Sequence, residues 1–124
     1  MDDDVITGTI IGCAFDVSNE LGAGFLESVH ERALMVALEQ HGIKAIAQHA
    51  IAVSFRGHDV GRFTADILVE DRVLVELKAV KTLAPEHHAQ IINYLKATGM
   101  EVGLFINFGN SKMDFRRFNR RKVG

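Results

Sequence analysis

One cysteine in 124 residues leaves this chain unable to close an internal disulfide or to build a zinc or iron–sulfur centre from several thiolates. That residue, Cys13, lies in an apolar helical stretch and reads as a core side chain, so a reducing cytoplasm is the default setting. No apolar run approaches the roughly 20 residues that span a bilayer, and the opening MDDDVITG lacks the basic start of a secretion signal. Repeats, linkers and low-complexity segments are absent. No DNA-reading module such as a helix-turn-helix or zinc finger is recognisable. What is there is ordinary for a folded, soluble domain: 48% hydrophobic and 24% charged residues, enough for one domain over residues 1–124 with its own core.

Charge is unevenly placed. The formal net charge is −2, so the molecule as a whole is no magnet for polyanions. The N-terminus opens with Asp2, Asp3 and Asp4, while the tail carries Lys112, Arg116, Arg117, Arg120, Arg121 and Lys122. Such a basic end can track a phosphate backbone. It can equally guard an edge strand or meet the acidic head of a second copy in a homo-oligomer.

Apolar spacing predicts a helix over residues 5–21, broken by Gly22, Ala23 and Gly24. A second helix is expected over 26–41, with Gly42 as its stop. Residues 46–55 alternate as a strand does, and Arg56, Gly57, His58 and Asp59 signal a turn. Pro85 starts a third helix that runs to about Thr98, with Gly99 at its end. Residues 102–108 form a short, almost wholly apolar strand, and 113–118 a last edge strand. The order ααβββαββ indicates an α/β (α+β) domain with a mixed central sheet flanked by helices.

The most informative stretch lies between. RFTADILVE and RVLVELKAV are rich in Val, Ile, Leu and Phe and read as one β-hairpin. Phe63, Ala65, Ile67 and Val69 form one apolar face; Val73, Val75, Leu77 and Ala79 form the matching one. Aligning them pairs Val69 with Val73 across Glu70, Asp71 and Arg72. Asp66 then lies opposite Glu76, with Lys78 on the same face, and a one-residue slip would break both matches. Solvated charges on an amphipathic hairpin would give the same letters. The run ILVEDRVLVEL is, however, too apolar for a wet surface. Two carboxylates and an amine set in it need a partner, and oxygen ligands suit Mg²⁺ or Mn²⁺.

Two helical pairs sit close by in sequence. Gln90 and Tyr94 are four apart, and Glu27 and His30 three apart, so each pair shares a helix face. Either pair can be the polar shoulder of an amphipathic helix. The glycines before Glu27 would also let a helix start approach a metal or phosphate closely. His41, His49, His58, His87 and His88 show no metal-site spacing.

These residues resemble the PD-(D/E)XK nuclease superfamily, in the small bacterial branch called GxxExxY proteins. The name motif stands as Gly24, Glu27 and His30 in GFLESVH, with histidine where the branch carries tyrosine. The nuclease core stands as Asp66, then Glu76, Leu77 and Lys78. Gln90 and Tyr94 resemble the QxxxY motif of the recombination-nuclease subgroup, and NYLKATGMEVGLFINFG is typical of the branch. The resemblance implies a restriction-endonuclease-like αβββαβ core and a Mg²⁺-dependent (or Mn²⁺-dependent) hydrolase cutting DNA, less readily RNA. It implies Asp66, Glu76 and the Leu77 carbonyl as metal ligands, Glu27 as a further ligand or water-holder, and Lys78 as the group that positions or activates water. Gln90 and Tyr94 would orient the substrate strand or buttress the metal, and His30 would contact the same region. The same fold also accommodates a catalytically silent nucleic-acid-binding module or a self-assembling structural protein.

Overall fold

The structure is a computed structural model that describes residues 2–120. Helix α1 (Asp3–Leu21) starts where Asp2 caps it, its Oδ1 accepting from the Val5 N–H at 2.9 Å. Asp3 and Asp4 add negative charge to the first turn, where the helix dipole favours it. Helix α2 (Glu27–Gln40) is followed by β1 (Ala45–Phe55), β2 (His58–Val69) and β3 (Val73–Lys78). Helix α3 (Pro85–Thr98) begins on the only proline and ends on Gly99, which takes the left-handed conformation that suits glycine. β4 (Val102–Asn107) and β5 (Asp114–Asn119) complete a five-stranded sheet of order β1-β2-β3-β4-β5. β3 and β4 are parallel, joined by α3; the other neighbours are antiparallel. This is the α+β arrangement with a mixed sheet that the element order predicts.

The sheet separates two apolar layers. On one face, Ile6, Ile10, Leu34 and Leu38 of α1 and α2 pack over Val75, Leu104 and Ile106, with Cys13 buried among them. On the other, Ile91 and Leu95 of α3 pack over Leu74 and Phe105. β3 and β4 lie between the layers, which is why they read as continuous apolar runs.

The expected hairpin register holds, with Val69 opposite Val73, Leu68 opposite Leu74 and Ile67 opposite Val75. Its turn places Glu70 and Asp71 both at φ 54°, a conformation costing non-glycine residues about 1 kcal/mol or more each. Local bonds offset this: the Glu70 N–H donates to the Lys44 carbonyl at 2.9 Å, and the Lys44 N–H donates to Glu70 Oε1 at 2.8 Å. His58 and Asp59 belong to β2 rather than to the turn before it, because Arg56 and Gly57 alone supply the two positive φ angles a tight hairpin needs.

One expectation needs correction. Phe63, Ala65, Ile67 and Val69 do not share one face: Phe63 and Ala65 pack with the α3-side layer, Ile67 and Val69 with the α1/α2 side. The switch falls at Asp66, beside Gln48, whose φ of 53° interrupts the alternation of β1. Several of the charged groups pair within the chain. Asp4 pairs with Arg117 at 2.7 Å and Asp3 with Arg72 at 2.9 Å, while Arg116 meets Asp114 at 3.0 Å. The acidic head thus folds onto basic groups of its own chain. Arg121 and Lys122 lie outside the described residues.

Gly109 is held against the loop that leaves β3. A Cβ there would stand 2.1 Å from the Val80 carbonyl oxygen and 2.4 Å from the Val80 nitrogen. Gly109→Ala should therefore destabilise the fold by about 3 kcal/mol, read as a lowered urea midpoint at unchanged slope.

Candidate functional site

The pairing of β3 with β4 continues to Lys78 opposite Asn107, whereas its pairing with β2 ends at Ile67 opposite Val75. The next amide facing β2, that of Leu77, is taken by a side chain: its N–H donates to Asp66 Oδ2 at 2.7 Å. That bond brings the Asp66 carboxylate against Glu76, as the register predicts. Glu76 is only 5% exposed, and its Oε1 is buried without a hydrogen-bond partner. Burial, reinforced by the neighbouring Asp66 charge, pushes the Glu76 carboxyl up to about 9; the positive charge of Lys78 opposes this without prevailing. Without a cation, Glu76 keeps its proton at neutral pH.

A divalent cation fits this arrangement. It would meet the orphaned oxygen of Glu76, neutralise the repulsion between the carboxylates and replace the proton. The donors that would meet it are hard oxygens: Asp66, Glu76 and the Leu77 carbonyl. Among the described residues no three His, Cys, Asp or Glu side chains converge as a ready-made cage. Two carboxylates with the remaining positions left to water and substrate are what Mg²⁺ commonly accepts.

Glu27, in the first turn of α2, accepts from the Ala79 N–H at 3.2 Å, immediately beyond Lys78. It lines a cleft of about 200 Å³ together with Ser28, Glu31, Gln48, Asp66 and Leu77. Glu31 and Gln48 are additions that the sequence reading missed. Glu31 follows Glu27 by one helical turn, a spacing that places both on one face. Gln48 gives no such signal; its side-chain amide donates to Glu31 Oε1 at 2.5 Å from a backbone at φ 53°.

In helix α3 Gln90 and Tyr94 share a face, as their spacing predicts. The Gln90 side-chain amide donates to the Tyr94 hydroxyl at 2.7 Å, and the Tyr94 ring stacks on Phe63 with centroids 3.7 Å apart. Burial raises the Tyr94 pKa, and the charges of Glu76 and Asp66 add to the effect against the Gln90 bond. Tyr94 therefore shares the electrostatic field of the carboxylates.

His30 does not join them. It is fully buried, its Nε2 lies 2.9 Å from the Gly22 carbonyl, and its ring stacks on Phe108 at 4.5 Å. It ties the turn before α2 to the end of β4 and offers no exposed surface to a substrate. Of the other histidines, His87 turns back to accept from the Ala84 N–H at 3.0 Å, a helix-start role.

Comparisons with known proteins agree with the fold. A family model described as the PD-(D/E)XK nuclease superfamily matches residues 4–118. No curated protein matches the sequence. Among solved structures, the fold is similar to a protein titled SSO0001, with TM-score 0.59 at 15% identity, covering 75% of this chain and 50% of that one. It is also similar to an alkaline exonuclease, LHK-Exo, from Laribacter hongkongensis, with TM-score 0.56 at 18% identity over 77% of this chain and 56% of that one. LHK-Exo in complex with dAMP gives TM-score 0.57 at 18% identity, over 77% and 55%. The chain thus spans about half the length of these structures, and at this identity the likeness is one of fold.

The raised carboxyl has a measurable sign. Metal-free folded protein holds a proton on Glu76 from the unfolded value near 4.5 up to about 9. The unfolded chain does not, so this group's stabilisation should fall as pH rises through that window. Thermal melts in EDTA between pH 5 and 9 should show the decline, and Glu76→Gln should flatten it.

Proposed function

The chain belongs to the PD-(D/E)XK nuclease superfamily, and from that membership we propose that it is a metal-dependent hydrolase of phosphodiester bonds in nucleic acid, DNA ahead of RNA. The observation that carries this reading is the partnerless, buried Oε1 of Glu76 beside Asp66. An apolar layer on each side makes such a pair costly unless a cation or proton resolves it. The motifs of the GxxExxY branch support placing the chain there, with His30 in a packing role where the branch has tyrosine. A cytoplasmic setting agrees with its cysteine usage.

Bound between Asp66, Glu76 and the Leu77 carbonyl, Mg²⁺ or Mn²⁺ would act as a Lewis acid toward the phosphoryl group and make water acidic enough to attack at neutral pH. The protein's own groups do the rest. Lys78, on the same strand face as Glu76, holds the attacking water in this reading and offsets charge developing on the phosphate. Glu27 supplies a further acceptor at the cleft wall. Gln90, fixed by its bond to Tyr94, orients the substrate strand, and Phe63 holds the Tyr94 ring in place. The dAMP complex of LHK-Exo supports a nucleotide-bearing substrate for a fold of this kind.

The test is cleavage of single- and double-stranded DNA and RNA with Mg²⁺ or Mn²⁺, beside Asp66→Asn and Lys78→Ala. Each substitution should cost at least about 100-fold in rate while leaving the circular dichroism spectrum unchanged. Equal cleavage by the parent and Asp66→Asn would overturn the assignment.

A further inference from the structure

Cations are not equally engaged over this surface. In the tail, Arg116 and Arg117 are held by Asp114 and Asp4. Beyond the ends of β3 and β4, two loops, residues 79–84 and 108–113, lie against each other. They are stapled by backbone and amide bonds. The Phe108 N–H donates to the Lys78 carbonyl at 2.8 Å. Asn107, 1% exposed, accepts from the Val80 N–H at 3.0 Å and donates to the Val80 carbonyl at 2.7 Å. Asn110 donates to the Lys81 carbonyl at 3.0 Å, and Gly109 closes on Val80. The rim so formed carries the exposed Lys81 and Lys112, and neither loop contains an Asp or Glu. Among the described residues, neither lysine has an acidic partner.

We infer that this rim binds the phosphodiester backbone of a nucleic-acid strand entering the Asp66–Glu76 site, with Lys81 and Lys112 as its phosphate contacts. The inference rests on reading that site as one that faces nucleic acid. A chain of net charge −2 cannot attract a polyanion as a whole, and Glu27, Glu31 and Asp66 in the cleft repel one. Approach therefore requires local cations that no carboxylate already occupies, and the rim begins on the chain directly after Lys78. Exposed hydroxyls at Thr82 and Ser111 add donors suited to phosphate oxygens. The large apolar side chains of the second loop, Phe108 and Met113, are buried, so the rim has little with which to enter a lipid surface. Because the staple fixes both loops beforehand, binding immobilises little extra chain.

The experiment is fluorescence anisotropy of labelled duplex and single-stranded oligonucleotides against NaCl concentration, on the whole chain in EDTA so that no cleavage intervenes. The variants are Lys81→Gln, Lys112→Gln and their combination. Lys44→Gln is the control, its ammonium lying at the far end of the sheet on Asp71. Each rim substitution should reduce the slope of log K against log salt by about 0.9 on duplex or about 0.7 on single strands, and the control should not. A double variant with the parent's slope, or a control that flattens it equally, overturns the inference. So does a parent that ignores oligonucleotides and binds polyglutamate, which would mark an acidic protein as the partner. Metal-dependent cleavage with unchanged slopes would reject the rim alone; flattened slopes without cleavage would retain the rim and reject the hydrolase.

Discussion

Asp66 and Glu76 stand against one another where the β2–β3 ladder stops, and the site depends on the fold tolerating that contact. Two carboxylates this close, one of them almost wholly buried, cannot both ionise without help. A proton supplies the help in the metal-free protein, and a bound divalent cation would take the proton's place. The sheet enforces the contact from both sides, because β3 is sandwiched between the α1/α2 and α3 layers and leaves Glu76 only 5% exposed. The repulsion is thereby kept available to whatever neutralises it.

The rest of the architecture serves to hold that point still. β2 changes faces at Asp66, so its outer half reaches α3, where Phe63 meets Tyr94, while its inner half remains under α1 and α2. One strand thus links the carboxylate to both layers. The β3–α3–β4 crossover brings Gln90 and Tyr94 onto the face that carries Glu76 and Lys78. Asn107 then binds the chain as it leaves β3, using both the donor and the acceptor of its amide on Val80. A buried amide satisfied in this way is rigid, since losing either bond would strand a polar group away from water.

Much of this was legible in the sequence, for identifiable reasons. Period-two patterns fixed the Val69–Val73 register, and with it the meeting of Asp66 and Glu76, because any slip turns the core residues outward. Pro85 and Gly99 marked α3 because each suits one end of a helix. What stayed hidden depended on the tertiary fold. Gln48 gives no sign that its backbone is left-handed, so the change of face at Asp66 could not be read. His30 looks like a site residue by spacing, yet stacking on Phe108 turns it inward. Asp4 and Arg117 lie at opposite ends of the chain and meet only after the sheet has formed.

The bond from the Leu77 amide to Asp66 has a consequence for hydrogen exchange. Most protected amides in a sheet report the strength of a backbone ladder. The Leu77 amide lies past the end of one and is held by a carboxylate, so its exchange rate follows that side chain's charge and position. A single backbone proton near the end of β3 therefore acts as an isotopic gauge of the site, readable in protein that carries no label and turns over no substrate.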